Sequence, residues 1–160
     1  MNVSAVSTGL LRELEATARR ALSAEALMRS VVEELGQRMP RFNWVGFYML
    51  DPADPGTLVL GPFVGADTPH KRIPLGQGIC GAAASSGKTI VLDDVHADPR
   101  YLACSLETRS EIVAPVWVHG RVAGELDIDS HSPAAFGPED RELVEQCAAL
   151  VGRYLETAGA

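Results

Sequence analysis

The feature that most constrains this fold is a pair of strand-like segments in the last third of the chain, separated by one tight turn. Residues 110–118 (SEIVAPVWV) and 121–129 (RVAGELDID) are rich in β-branched side chains, and only His119 and Gly120 lie between them. A two-residue connection joins antiparallel strands, because a parallel pair needs a crossover of a dozen or more residues. The two segments are therefore predicted to form a β-hairpin.

A second hairpin is predicted earlier, where residues 42–50 (FNWVGFYML) and 57–63 (TLVLGPF) flank the turn-forming segment DPADPG. Apolar residues at three- and four-residue steps predict a helical segment over about 5–39, ended by Pro40. A last helix is predicted to begin with Pro138, followed by acids in its first turn. Helices at both ends of two hairpins indicate an α+β fold with a mostly antiparallel sheet.

Between the hairpins, residues 78–86 (GICGAAASS) are small and compatible with a short helix, and residues 88–92 (KTIVL) with a short strand. The polar segment 93–109 that follows is long for a connection inside one domain, and such loops are often functional.

Composition excludes several classes of partner. The chain has 160 residues, a formal net charge of -7 and no cluster of Lys and Arg, so nucleic acid and anionic membranes are not expected partners. No apolar run approaches the length of a membrane span. Three widely spaced cysteines are typical of a reduced, cytoplasmic protein. The spacings of Cys and His match no metal-binding motif, and no metal site is expected.

The three cysteines have different surroundings in the sequence. Cys147 lies on the apolar stripe of the last helix, which favours a place in the core. Cys80 lies in a glycine-rich turn and could serve packing or reactivity. Cys104 has polar neighbours in the long connection, and Arg100 and Arg109 are within reach in the sequence. Because positive charge favours a thiolate, Cys104 is the candidate for a reactive thiol.

Three acids alternate along the segment GELDIDS. Side chains of a strand point to opposite faces in turn, so Glu125, Asp127 and Asp129 share one face of the sheet. This pattern is typical of a solvated face. It also fits an acidic patch that binds a ligand ammonium or transfers a proton, because crowded carboxylates raise one another's pKa.

The motifs NWVGFYML, LVLGPFVG, RIPLGQGICG, RSEIVAP and GELDIDS, in this order, resemble the free methionine-(R)-sulfoxide reductases, enzymes of GAF fold. The resemblance runs from about Phe42 to the final helix. It implies a six-stranded antiparallel sheet, with N- and C-terminal helices on one face and a ligand pocket on the other. It also implies a single GAF domain over residues 1–160, with the helical segment at about 5–39 and the core at about 42–157.

The resemblance implies roles for two of the cysteines. Cys104 matches the family nucleophile, and Cys80 of GICG matches the second cysteine of the family. The usual resolving cysteine lies ten residues before Cys80, where this chain has His70. Tyr101 stands where a histidine is usual.

The resemblance also implies a set of substrate-binding residues. Glu111 and Asp129 match the acids that hold the sulfoxide oxygen, and both are implied to be catalytic. Asp127 matches a residue that meets the amino group. Trp44 and Tyr48 match the aromatic residues that enclose the methyl group.

The expected activity is the reduction of free L-methionine-(R)-sulfoxide to L-methionine through a cysteine sulfenic acid, in the context of oxidative stress. No bound cofactor is implied; an external thiol, which is a thioredoxin, a glutaredoxin or a small thiol, would restore the cysteine. A cytoplasmic location and assembly into a homodimer are further expectations. Two alternatives remain open: a GAF sensor module that binds a small ligand without turnover, and a thiol redox sensor.

Overall fold

The structure is a computed structural model that describes residues 5–102 and 106–158. Within these residues the chain forms four helices, six strands and a short 3-10 turn at Val95–Ala97. The helices are α1 (Ala5–Arg20), α2 (Ala24–Arg38), α3 (Gly78–Ser86) and α4 (Pro138–Ala158). The strands are β1 (Trp44–Asp51), β2 (Asp54–Val64), β3 (Arg72–Pro74), β4 (Ile90–Leu92), β5 (Ser110–Val118) and β6 (Arg121–Ser130).

The six strands form one sheet in the order β3-β2-β1-β6-β5-β4, and every neighbouring pair is antiparallel. The α+β class and the six-stranded antiparallel sheet are thereby confirmed. Both predicted hairpins, β1-β2 and β5-β6, are present and meet through the central pair β1-β6.

The helical segment predicted over about 5–39 consists of two helices, α1 and α2, rather than one. The helix is interrupted between α1 and α2, where the Ser23 side chain accepts a hydrogen bond from the Ala26 backbone N–H at 3.1 Å. A serine at this position satisfies an N–H group that the first turn of a helix leaves unpaired. The stripe of apolar residues continues across the break because both helices pack on the same core.

The sheet separates two apolar layers. On one face α1, α2 and α4 pack against residues such as Val45, Phe47 and Leu126. On the other face α3 packs against Trp44 and Tyr48 of β1, among others. The sequence alternates between these faces along β1, as a strand requires. The implied placement of the terminal helices on one side of the sheet is confirmed.

Helix α3 lies close to the chain that precedes it because Gly81 has no side chain. A Cβ atom at Gly81 would lie 2.7 Å from the Leu75 carbonyl oxygen, which is closer than real Cβ contacts. This close approach holds the first turn of α3, which carries Cys80, over the sheet.

Within the described residues, no helix has both the length and the apolar character needed to cross a membrane.

Candidate active site

Four acids share the sheet face that α3 covers. Three are on β6, at Glu125, Asp127 and Asp129, and the fourth, Glu111, is on β5 directly opposite Asp129. All four are buried, with at most 4% of their surface exposed. The expectation of a solvated acidic face is therefore wrong, and the alternative of an acidic patch for a ligand or a proton is the one that fits.

Strand register places two aromatic residues beside these acids. On β1, Trp44 pairs with Asp129 and Tyr48 pairs with Glu125, so their side chains point to the same face. Their rings are stacked with centroids 6.2 Å apart. The Trp44 indole N–H donates to the Ala66 carbonyl at 2.9 Å, and the Tyr48 hydroxyl donates to the His70 carbonyl at 2.8 Å. Both rings are thus fixed by polar contacts at their edges.

Phe63 belongs to the same aromatic group, although no motif in the sequence marked it as a site residue. Its ring stacks on Trp44 with centroids 5.6 Å apart. Gly46, between Trp44 and Tyr48, makes this arrangement fit: a Cβ atom there would lie 2.4 Å from the Trp44 ring. The alternating apolar residues of β2 were the available signal for Phe63.

Cys80 of α3 reaches the centre of the acidic face. Its Sγ lies 3.4 Å from Oδ2 of Asp127, to which the thiol donates a hydrogen bond. Burial raises the pKa of the Cys80 thiol well above its ordinary value, and the neighbouring acids Asp127, Glu125 and Glu111 raise it further. Cys80 is therefore a protonated thiol at neutral pH.

Burial is also the main cause that raises the pKa of each of the four acids. The pKa of Glu111 is raised well above its usual range, because it also lies beside Asp127 and Asp129. The pKa of Asp127 is raised less, since hydrogen bonds from Glu111 and Cys80 favour its carboxylate form. Glu111 is thus one of the acids that burial and its neighbours favour in the protonated form, whereas the hydrogen bonds to Asp127 favour its carboxylate form.

Several carboxyl oxygens in this cluster have no hydrogen-bond partner among the described residues. They are both oxygens of Glu125, Oδ1 of Asp127 and Oδ1 of Asp129. The Cys80 thiol is near enough to lower the pKa of Glu125 in part, although it makes no hydrogen bond of normal geometry with it. An unsatisfied buried polar group costs about 1–3 kcal/mol. Such a group of acceptors is suited to a ligand that brings donors.

A cavity of about 80 Å³ opens beside the cluster and is lined by the buried residues Trp44, Thr68 and Asp129 and by the exposed residues Glu107 and His131, among others. Glu107 lies two residues after the segment 103–105 in the sequence. Cys104 lies outside the described residues, as do its two neighbours.

Cys147 and the two residues that depart from the family pattern, His70 and Tyr101, are all among the described residues. Cys147 is buried in the core on the far side of the sheet, where burial raises its pKa to about 12. This confirms its place in the core. His70 lies between β2 and β3, with its N–H donating to the Thr68 hydroxyl at 3.1 Å. The Tyr101 ring makes an edge contact with His96.

Cys80, Glu111 and Asp127 can also be viewed as potential metal ligands. One ligand atom from each residue lies within 4.8 Å of the other two. These residues are far apart in the sequence, so no spacing motif could have indicated the group.

Comparisons with known proteins agree with this architecture. The GAF domain model matches residues 23–155. The free methionine-R-sulfoxide reductase of Escherichia coli (strain K12) is 35% identical over 157 residues, covering 98% of this chain and 93% of that protein.

Two solved structures extend the comparison. The free methionine-R-sulfoxide reductase of Neisseria meningitidis, in complex with its substrate, has a TM-score of 0.89 at 33% identity, covering 96% of this chain and 92% of that one. The type II free methionine-R-sulfoxide reductase of Thermoplasma acidophilum has a TM-score of 0.77 at 38% identity, covering 90% and 96%. By sequence and fold, the chain belongs to the GAF domain family and, within it, to the family of free methionine-R-sulfoxide reductases.

Proposed function

We propose that this protein reduces free L-methionine-(R)-sulfoxide to L-methionine. The observation that carries the proposal is the buried group of four carboxyls with unpartnered oxygens beside stacked aromatic rings. Methionine sulfoxide has an ammonium group and a polar S–O group at opposite ends of a short apolar chain. The similarity of this chain to the reductases of E. coli and N. meningitidis supports the proposal.

Each end of the substrate has a suited group on the sheet face. Asp127 is the acid most ready to ionise and is suited to the ammonium. Trp44 and Tyr48 offer apolar ring surface for the methyl group. Glu111 holds a proton next to Asp129, and these two acids are suited to the sulfoxide oxygen.

The proposed reaction needs a thiolate and an acid together. The Cys104 thiolate attacks the sulfoxide sulfur while Glu111 gives its proton to the oxygen. The attack joins the two sulfur atoms; this S–S bond and the S–O bond of the substrate then break as the protonated oxygen passes to the Cys104 sulfur, which yields methionine and a cysteine sulfenic acid. Two electrons move from Cys104 to the substrate sulfur.

An external thiol is the proposed reductant of the sulfenic acid. Cys80 is buried and protonated, and His70 occupies the position of the usual resolving cysteine. Two equivalents of a small thiol, or one reduced thioredoxin or glutaredoxin, would restore the Cys104 thiol with release of one water and formation of one disulfide. We further propose that the enzyme works in the reducing cytoplasm, as part of the defence against oxidative stress, and that it forms a homodimer.

A substrate panel tests the proposed function. Methionine formation is measured with free L-methionine-R-sulfoxide, with the S epimer and with the N-acetylated R form, for the wild type and for Cys104→Ser. We expect the wild type to turn over the free R epimer alone. The N-acetylated form should not react, because the N-acetyl group removes the ammonium that Asp127 would bind. Cys104→Ser should have no turnover, because it lacks the proposed nucleophile.

The outcomes separate the proposed function from its alternatives. Equal turnover of the N-acetylated form would refute the role of the acidic face in recognition. Binding of the R epimer without methionine formation would favour a ligand sensor. Oxidation of Cys104 by peroxide, with neither binding nor reduction of the sulfoxide, would favour a thiol redox sensor.

A further inference from the structure

Three side chains from three separate elements converge under α3. Cys80 comes from α3, Glu111 from β5 and Asp127 from β6, and each is more than 90% buried. One potential ligand atom of each lies within 4.8 Å of the other two. The group combines one sulfur with carboxylate oxygens.

The distance between two of these atoms already matches a metal site. In tetrahedral zinc sites the Zn–S distance is about 2.3 Å and the Zn–O distance about 2.0–2.2 Å, which separates sulfur from oxygen by about 3.6 Å. Sγ of Cys80 and Oδ2 of Asp127 are 3.4 Å apart. A cation could therefore be held between them with little rearrangement of α3 or β6.

The unpartnered oxygens are an independent indication of a missing ligand. Oδ1 of Asp127 and both oxygens of Glu125 are buried without a hydrogen-bond partner among the described residues. Glu125 is fully buried and interacts with Cys80 electrostatically, so its carboxyl oxygens are further potential metal ligands next to the thiol. The groups that act on Cys80 are all acids, and a bound cation would take the place of the protons that the thiol and these acids hold.

We infer that Cys80, Glu111 and Asp127 form a binding site for a thiophilic divalent cation of the Zn²⁺ class. A mixed set of thiolate and carboxylate ligands favours Zn²⁺ over Mg²⁺ and Ca²⁺, which take oxygen ligands. Glu111 and Asp127 also bind the substrate in the proposed function. The bound cation therefore excludes methionine sulfoxide and inhibits its reduction; this inhibition rests on the proposed function.

Cobalt binding tests the site without relying on activity. Reduced full-length protein, freed of metal with a chelator, is titrated with Co²⁺, whose bond to a thiolate gives a charge-transfer absorption band. We expect this band to saturate at one equivalent in the wild type, to be displaced by Zn²⁺ and to be absent in Cys80→Ser. Cys147→Ser and Cys104→Ser are the controls for the other two thiols and should keep the band.

A second variant guards against a folding defect in Cys80→Ser. Asp127→Asn preserves the shape of the side chain, and circular dichroism checks its fold. We expect its Zn²⁺ affinity to fall by at least about 10-fold, since even residues that only support metal ligands typically contribute 10–100-fold. A band that persists in Cys80→Ser, or that disappears in either control, would overturn the assignment, as would Mg²⁺ binding as tight as Zn²⁺ binding.

The inhibitory part has its own readout. Methionine is measured in a single turnover without added thiol, because thiols bind Zn²⁺ themselves. We expect Zn²⁺ to block this turnover and excess R-sulfoxide to relieve the block. Undiminished turnover with the cation bound would refute the inhibition. If no sulfoxide is reduced under any condition, the proposed function fails while the cobalt and zinc titrations still decide the metal site.

Discussion

Glu111 is the residue in which burial and position combine most clearly. It lies between Asp127 and Asp129, and burial together with these two acids raises its pKa well above its usual range. A carboxyl that keeps its proton at neutral pH can act as a general acid. Its neighbours therefore make the chemistry of this one side chain different from that of an exposed glutamate.

We predict that Glu111→Gln is nearly inactive. The amide has the same shape but cannot give up a proton at neutral pH, and loss of a general acid typically lowers the rate about 10²–10⁴-fold. Steady-state reduction of free R-sulfoxide measures the effect, which should fall mainly on kcat. Glu33→Gln, on the exposed side of α2, is the matched control and should keep full activity. Loss of less than about 10-fold in Glu111→Gln would mean that another group supplies the proton.

The sequence predicted which acids share a face but not whether water reaches them. Glu125, Asp127 and Asp129 alternate with Leu126 and Ile128, and this period is a local property of a strand. Burial depends instead on α3, which comes about 40 residues earlier and covers the face. Periodicity carries no information about such a distant cover, so the solvated alternative was equally consistent with the pattern.

At the scale of elements, β1 shapes the aromatic part of the site. Gly46 leaves room for the Trp44 ring, and a Cβ atom there would also lie 2.9 Å from Cβ of Phe63. The ring stack thus depends on a position with no side chain in the middle of a strand.

Gly46→Ala should therefore displace Trp44 and damage both stability and substrate binding. Overpacking in a buried site typically costs about 1–3 kcal/mol in the free energy of unfolding. Denaturant unfolding measures this loss, and we expect a raised KM for free R-sulfoxide in the variant. Gly9→Ala is the control, because a Cβ atom at Gly9 in α1 meets nothing within 4 Å. It should stabilise the protein by about 0.5–1 kcal/mol. An unchanged KM in Gly46→Ala would show that the ring stack does not contact the substrate.

Elements with strong local signals were predictable, and the exceptions have physical causes. The hairpins are set by turn residues such as His119 and Gly120, which the sequence displays directly. Strand β3 has only three residues, one of them Pro74, and exists through pairing with β2. The pattern alone did not identify it, although the family resemblance implied a sixth strand. The start of α2 is marked by the Ser23 side chain, which accepts a hydrogen bond from the Ala26 N–H. The apolar stripe continues on both sides of Ser23, so the pattern did not indicate an interruption there.

For the whole molecule, the buried acids make stability depend on pH. Their folded-state pKa values lie above the value of about 4 in an unfolded chain. The native protein therefore holds protons that the unfolded chain releases. This contribution to stability is fully present below pH of about 4 and is lost as pH rises through the folded-state values.

We predict that the free energy of unfolding falls as the pH rises from about 5 to 8. Guanidinium unfolding over this range, with a chelator present so that no cation replaces the protons, measures the slope. Glu125→Gln, which removes one fully buried carboxyl, should have a shallower slope. The acids Asp51, Asp67 and Asp98, outside this cluster, have lowered pKa values and act in the opposite sense, but their effect is confined to more acidic pH. An equal slope in the wild type and in Glu125→Gln would contradict the protonated state of Glu125.

In the proposed reaction, a thiol of this chain takes the oxygen from free methionine-R-sulfoxide. The most direct measurement mixes reduced protein with one equivalent of the R epimer, without reductant, quenches with dimedone and analyses methionine and peptides by mass spectrometry. We predict one methionine per chain and a dimedone adduct on Cys104, with neither product from the S epimer. Methionine formed while Cys104 stays unmodified, or no methionine at all, would contradict it.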